Sequence, residues 1–131
     1  MRLSRRPVQI VVGLGLAVLG GILVMSPLAV AEALSRPHDT SSQMINLRAS
    51  WGGMVLGIAG FIAWLPALRP WLRGVVGLVT WVMAGVGLAR AVGFVFDGSP
   101  DARQYVWITG EVVITILGAW ALRGIARRAA G

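Results

Sequence analysis

Arg90 and Glu111 are the residues best placed to do chemistry, because each interrupts a long apolar run. Gly74 to Phe96 carries only Arg90, and Gln104 to Leu122 carries only Glu111. A charge at mid-membrane costs on the order of 2.5–3.5 kcal/mol on insertion scales, so such groups turn inward and find partners. Arg90 precedes Asp97 by seven residues, about 10 Å below the end of its helix at 1.5 Å per residue. Glu111 follows Asp101 by ten residues, about 15 Å down the next helix by the same rise. The two helices run in opposite directions, so the two Cα atoms differ in depth by about 5 Å, a gap that an arginine side chain covers. The spacing predicts an Arg90–Glu111 ion pair buried in the outer half of a helix bundle.

A second charged level is expected nearer the rim. Glu32 ends one span and Arg48 begins the next, so both fall within about a turn of the same surface. Asp97 shares a helix face with Arg90 through i, i+7 spacing. With His38, Asp39 and Asn46 in the loop above, these side chains could line a polar vestibule. Arg90, Glu111, Asp97, Arg48 and Glu32 are therefore the candidate ligand-binding or buried polar cluster. Two roles are open to it, a lock that fixes helix register and a ligand or proton site.

Catalytic signatures are missing. No G-x-S-x-G, H-E-x-x-H or G-x-x-x-x-G-K pattern occurs, and no spacing rule selects an acid/base pair, so nothing points to an enzyme and no catalytic residue is assigned. His38 is the one histidine and cysteine is absent, so neither a metal site nor thiolate chemistry is expected. No cofactor is expected. All 12 basic residues are arginine, which excludes a Schiff-base or P-loop lysine.

These residues need elements to position them, and composition says which. Of 131 residues, 56% are hydrophobic and 13% charged, with a mean hydropathy of +0.77; soluble domains run about 45–50% and about 25%. A spanning helix needs about 20 mostly apolar residues, and four stretches qualify, with helices at about 8–34, 47–68, 71–96 and 101–122. Lipid offers no partner to an unpaired backbone group, so such spans are helical. Pro66 and Pro70 are expected to close the second helix and turn the chain into the third, and Asp101 to cap the fourth. The basic start and the Ala29-Val30-Ala31 stretch resemble a signal peptide, but a secretory apolar region runs about 7–15 residues, so the first span is expected to remain as a true helix. The expected fold is an all-α transmembrane four-helix bundle, up-down-up-down, forming one domain over residues 1–131.

Charge orients it. Arg2, Arg5, Arg6, Arg69, Arg73, Arg123, Arg127 and Arg128 share one side with no acid, whereas four arginines face five acids on the other. The positive-inside rule puts both termini in the cytoplasm. The net charge of +7 thus lies in clusters flanking spans, which argues against nucleic acid and for anionic lipid headgroups on the cytoplasmic side as partners. Trp64, Trp71 and Trp120 fall near that interface and Trp51 near the other; Trp81 and Trp107 lie deeper and are expected to pack. Small residues at four-residue spacing (Gly13, Ala17, Gly21; Gly53, Gly57; Gly85, Ala89, Gly93) are the expected helix contact ridges. Packing of the four helices on one another explains all three ridges, with a homo-oligomer face as the weaker alternative, since glycine is common in membrane helices.

The stretch from Asn46 to Gly57 (NLRASWGGMVLG) resembles the N-x-R-x-x-x-G-G-x-x-L-G block of small bacterial membrane proteins grouped as domain of unknown function forty-three forty-five. Gly87-Leu88-Ala89-Arg90, then Asp97-Gly98-Ser99-Pro100 and Glu111, is similar to that family's second block, G-L-x-R…D-G-x-P…E. In outline the chain is also similar to DoxX-like four-helix proteins. The resemblance covers about Leu34 to Leu122. It implies a four-helix fold in which Arg48, Arg90, Asp97, Glu111 and the Gly52-Gly53 pair are shared features, and, through the DoxX-like outline, an accessory role beside a redox or transport complex. The expected function is a non-enzymatic binding or accessory subunit whose outer polar cluster holds a lipid-like or quinone-like molecule or docks on a larger membrane complex. The alternative is a small proton-coupled transporter in which Glu111 titrates beside Arg90.

Overall fold

Helix makers and helix breakers alternate along this chain, and their placement sets which side chains meet. A computed structural model describes residues 5–65 and 71–128. Among the described residues every regular element is helical: α1 (Arg5–Met25), α2 (Pro27–Ala33), α3 (Ser41–Leu47), a π-helical turn (Arg48–Gly53), α4 (Met54–Trp64), α5 (Trp71–Phe96) and α6 (Ala102–Arg128). Four stretches are long and apolar enough to cross a membrane: Arg6–Met25, Ser41–Trp64, Trp71–Phe96 and Ala102–Arg128. The turn assigned to Pro66 and Pro70, and Arg2 and Arg69 of the basic flank, lie outside the described residues.

Where one helix was expected over 8–34, there are two. Pro27 lacks an N–H and pushes its predecessor out of the α region, and Ser26 accordingly sits at φ −122°, ψ 58°. The break leaves the Val24 carbonyl with no backbone N–H among the described residues. α2 then ends in a Schellman turn: Ser35 N–H donates to the Glu32 carbonyl (3.2 Å) and Arg36 N–H to the Ala31 carbonyl (2.9 Å). Ser35 holds the left-handed position of that turn at φ 51°, where a Cβ is strained by about 1–2 kcal/mol. Ser35→Gly is therefore expected to raise stability by about 1 kcal/mol, read by thermal unfolding in detergent; a lower melting temperature would mean that the hydroxyl has a role of its own.

The second span starts at Ser41, not at 47. Thr40 and Gln43 form a capping box: Gln43 N–H donates to Thr40 Oγ1 (3.3 Å) and Thr40 N–H to Gln43 Oε1 (3.1 Å). Asn46 thus lies on a helix rather than in a loop. α5 has the expected bounds. α6 begins where Asp101 Oδ1 accepts the Gln104 N–H (3.1 Å), as the sequence suggested, and runs past 122 to Arg128.

Packing follows chain order. α1 lies against α4 and the π turn, these lie against α5, and α5 carries α6; α1 and α6 do not pack on each other to a comparable degree. Glycines bring the middle pair to backbone contact. A Cβ on Gly53 would stand 2.6 Å from the Gly85 carbonyl oxygen, and one on Gly85 would stand 2.5 Å from Gly57 N. The neighbouring Gly52 faces α1 instead, where an added Cβ would lie 2.6 Å from Val24 N. Ala89 is buried and Gly93 backs onto Ile45. In α1, Gly13 meets Ala59 and Ala63, but the next contact is Gly20 against Leu56; Gly21, expected in that ridge, has nothing near it. Trp81 packs over Gly60. Trp107, also expected to pack, is 60% exposed on α6, as is Trp120 at 74%, on the apolar surface that lipid would cover.

Candidate functional site

The helix end that bears α2 and α3 contains most of the buried polar groups. Arg90 from α5 and Glu111 from α6 meet there: Nη2 donates to Oε1 (2.7 Å), and Nε lies 3.0 Å from both carboxylate oxygens. Both side chains are more than nine-tenths buried. The remaining arginine nitrogen, Nη1, donates to Gln104 Oε1. Gln104 sits one heptad before Glu111 and so shares its face of α6. Its Nε2 donates in turn to the Ser42 carbonyl (3.3 Å), while Ser42 Oγ accepts the Asp101 N–H (3.1 Å). The chain of contacts therefore ties α3, α5 and α6 together. Gln104 was not among the sequence candidates; its i, i+7 spacing to Glu111 is the signal that could have found it.

Arg48 makes a second pair, with Asp97. Nε donates to Oδ2 (2.8 Å) and Nη2 to Oδ1 (2.7 Å) in a two-pronged fork. Nη1 donates to the Val24 carbonyl that the Pro27 break releases, and the guanidinium lies 5.8 Å from the Phe96 ring centroid. The guanidinium thus joins α1, the π turn and the end of α5. Both partners are again buried.

Glu32, expected beside Arg48, is left out. It is exposed on α2, and its side chain makes no ion pair or hydrogen bond among the described residues. The change of helix at Ser26 takes it off the line of α1 and away from the interior. His38, Asp39 and Asn46 are also exposed, and His38 Nδ1 donates to the Arg36 carbonyl (3.2 Å). Among the described residues no three His, Cys, Asp or Glu side chains converge as metal ligands. The five candidates therefore resolve into two closed ion pairs and one outlying carboxylate, not a single vestibule.

One member of these pairs, Glu111, borders a groove of about 360 Å³ between α5 and α6, whose other lining includes Met83, Leu88, Ile108 and Val112. The groove exists there because Gly87 has no side chain: an added Cβ would stand 3.7 Å from Glu111 Oε2. That oxygen receives only the shared Arg90 Nε, so it retains acceptor capacity, since a carboxylate offers about four lone-pair sites. Arg90 does not line the groove, so the charge that faces it is the carboxylate. Chemically, the groove offers an apolar bed with one anionic acceptor at its floor.

The family model for "Domain of unknown function (DUF4345)" matches residues 5–122, and the chain belongs to that family. No curated protein and no solved structure matches it.

Proposed function

We propose that this member of an uncharacterised family is a non-enzymatic binding subunit of a bacterial inner membrane, with four antiparallel spans and both termini in the cytoplasm. Its ligand is a hydrophobic molecule bearing a hydroxyl, such as a quinol or a hydroxylated lipid, held in the α5–α6 groove. The observation that carries this reading is the Glu111 carboxylate, buried against Arg90 yet bordering the groove. A hydroxyl donates to a carboxylate, whereas a carbonyl-only ligand would need a donor, and Arg90 does not line the groove. The Arg48–Asp97 pair and Gln104 serve as the frame that holds Glu111 in place. An accessory position beside a larger membrane complex, in keeping with the DoxX-like outline, is the form this role takes.

Support goes to binding rather than to a proton-coupled carrier. Thr115 and Thr80 are the hydroxyls inward of Glu111 on the two groove helices, and each donates to a carbonyl of its own helix, those of Glu111 and Val76 at 2.7 Å. They give a proton no relay toward the other face. The reading is tested by purifying wild type and Glu111→Gln in native nanodiscs and identifying bound lipids, quinols and proteins by mass spectrometry. A hydrogen bond to a charged group contributes about 1.5–3 kcal/mol, so a hydroxylated hydrophobe is expected to co-purify with wild type roughly tenfold or more above the variant. Identical complements from both would refute the role of Glu111.

A further inference from the structure

A second open cleft lies on the neighbouring face of α5, shares Met83 with the Glu111 groove, and includes no member of the two ion pairs. It holds about 570 Å³, within the range of about 300–1,000 Å³ of small-molecule sites. Its upper wall carries Arg36, Gln43, Asn46 and Ser50 and no acid; its lower wall is Met54 with Val82, Met83 and Val86 of α5. Asn46, Ser50 and Met54 follow one another at four-residue steps down α3, the π turn and the start of α4, so polarity falls off along a single stripe. Ser50 is nine residues into its span, about 13 Å along the axis. Among the described residues the side chains of Arg36, Asn46 and Ser50 make no hydrogen bond or ion pair, and Gln43 uses only its Oε1, on the Thr40 N–H. Arg36 is aimed by the Schellman turn of α2, with its carbonyl held by His38. The π turn adds a further pointer, since such turns gather at functional sites.

We infer that this cleft binds a single-chain amphiphile with an oxyanion head, a carboxylate or a phosphate, its head on Arg36, Asn46 and Ser50 and its chain along Met54 and α5. Charge complementarity selects the head: the polar wall offers one full positive charge and neutral groups able to donate, with no carboxylate to repel an anion. The apolar wall selects the chain. The cleft shares Met83 with the Glu111 groove, but its polar wall is distinct from that groove, whose anionic acceptor would repel the same head.

The test is photolabelling of the full chain in phosphatidylcholine nanodiscs with a diazirine analogue of palmitic acid, followed by peptide mapping. Hexadecyl phosphate and hexadecanol serve as competitors. Label is expected on the segments carrying Met54 and Val82–Val86, competed by the alkyl phosphate and roughly tenfold less well by the alcohol. Arg36→Gln is expected to lower labelling roughly tenfold, and Arg36→Lys to keep it. If unlabelled palmitic acid, added as a third competitor, displaces the probe and hexadecyl phosphate does not, the head is assigned as carboxylate. Equal competition by the alcohol, or unchanged labelling in Arg36→Gln combined with Asn46→Leu, would overturn the inference. Label lost in Glu111→Gln but kept in Arg36→Gln would also overturn it and would place the amphiphile in the α5–α6 groove. Both Arg36 and Asn46 are exposed, so the variants are read in a folded protein.

Discussion

Arg90→Met is expected to lower stability by about 3–5 kcal/mol, and Glu111→Leu by a similar amount, because each leaves its partner charged and buried without a counter-ion. The double substitution should be far less harmful than the sum. Two apolar side chains of similar length lose the pair but also remove the cost of keeping two ions out of water, an exchange that is often close to neutral. Recovery will be incomplete for a specific reason: Gln104 Oε1 loses the Arg90 Nη1 donor, and an unsatisfied buried acceptor costs about 1–3 kcal/mol. Adding Gln104→Leu should return most of that deficit. The measurement is a double-mutant cycle by thermal or denaturant unfolding in detergent, with a coupling energy of about 3 kcal/mol or more expected. Additive single effects would mean that the two side chains do not act as a unit. The cycle also separates frame from site, because a stable triple variant that has lost its ligand would show that the buried pair is retained for binding and not for folding.

The Arg90–Glu111 pair was legible because helix rise is constant and lipid tolerates no unpaired charge. Counting residues from the Asp97–Asp101 turn was enough to put both groups at one depth. The partner of Arg48 was not legible by the same means. Glu32 and Asp97 lie equally near the rim on residue counting, and the choice turns on the break at Ser26, which removes Glu32 from the interior and opens the Val24 carbonyl to Arg48. Pro27 announces that break, but a proline after an apolar run does not say which way the following turn points. The early start of α3 was written in Thr40 and Gln43, whose three-residue spacing is a capping box. The phase of the α1 ridge was hidden by the helix period. At 3.6 residues per turn, Gly20 lies about 20° from the line of Gly13 and Gly21 about 80°, so repeating a four-residue step drifts off the contact. The clefts were illegible altogether. One lies over the bare Gly87 between α5 and α6, the other between α5 and the stripe of α3, the π turn and α4, and neither gap leaves a mark in residue spacing.

Gly85→Ala is expected to cost about 3 kcal/mol, although it adds one methyl group. Overpacking usually costs about 1–3 kcal/mol, and the upper end applies because the new Cβ would meet backbone: the Gly53 carbonyl, Gly57 N and Gly57 Cα at 2.8 Å. No rotamer change can clear backbone atoms, so α5 must move away from α4. Gly57→Ala meets the same obstacle from the other side, where Val82 Cα lies 2.5 Å from the added atom. Dispersion at short range is a main source of helix association in lipid, so parting the helices also loses the contacts flanking the glycines. Gly21→Ala is the control, with open space around it; it is expected to be neutral or stabilising by about 0.5–1 kcal/mol, the usual advantage of alanine inside a helix. The parting of α5 from α4 should also strain the Arg48–Asp97 fork, which bridges the π turn and the end of α5. In Gly85→Ala, hydrogen exchange at the Phe96 and Asp97 amides is therefore expected to accelerate along with the loss of stability. Equal stability of Gly85→Ala and Gly21→Ala would refute backbone-to-backbone packing at this crossing. Lowered stability with unchanged exchange at Phe96 and Asp97 would confine the damage to the crossing and uncouple it from the ion pair.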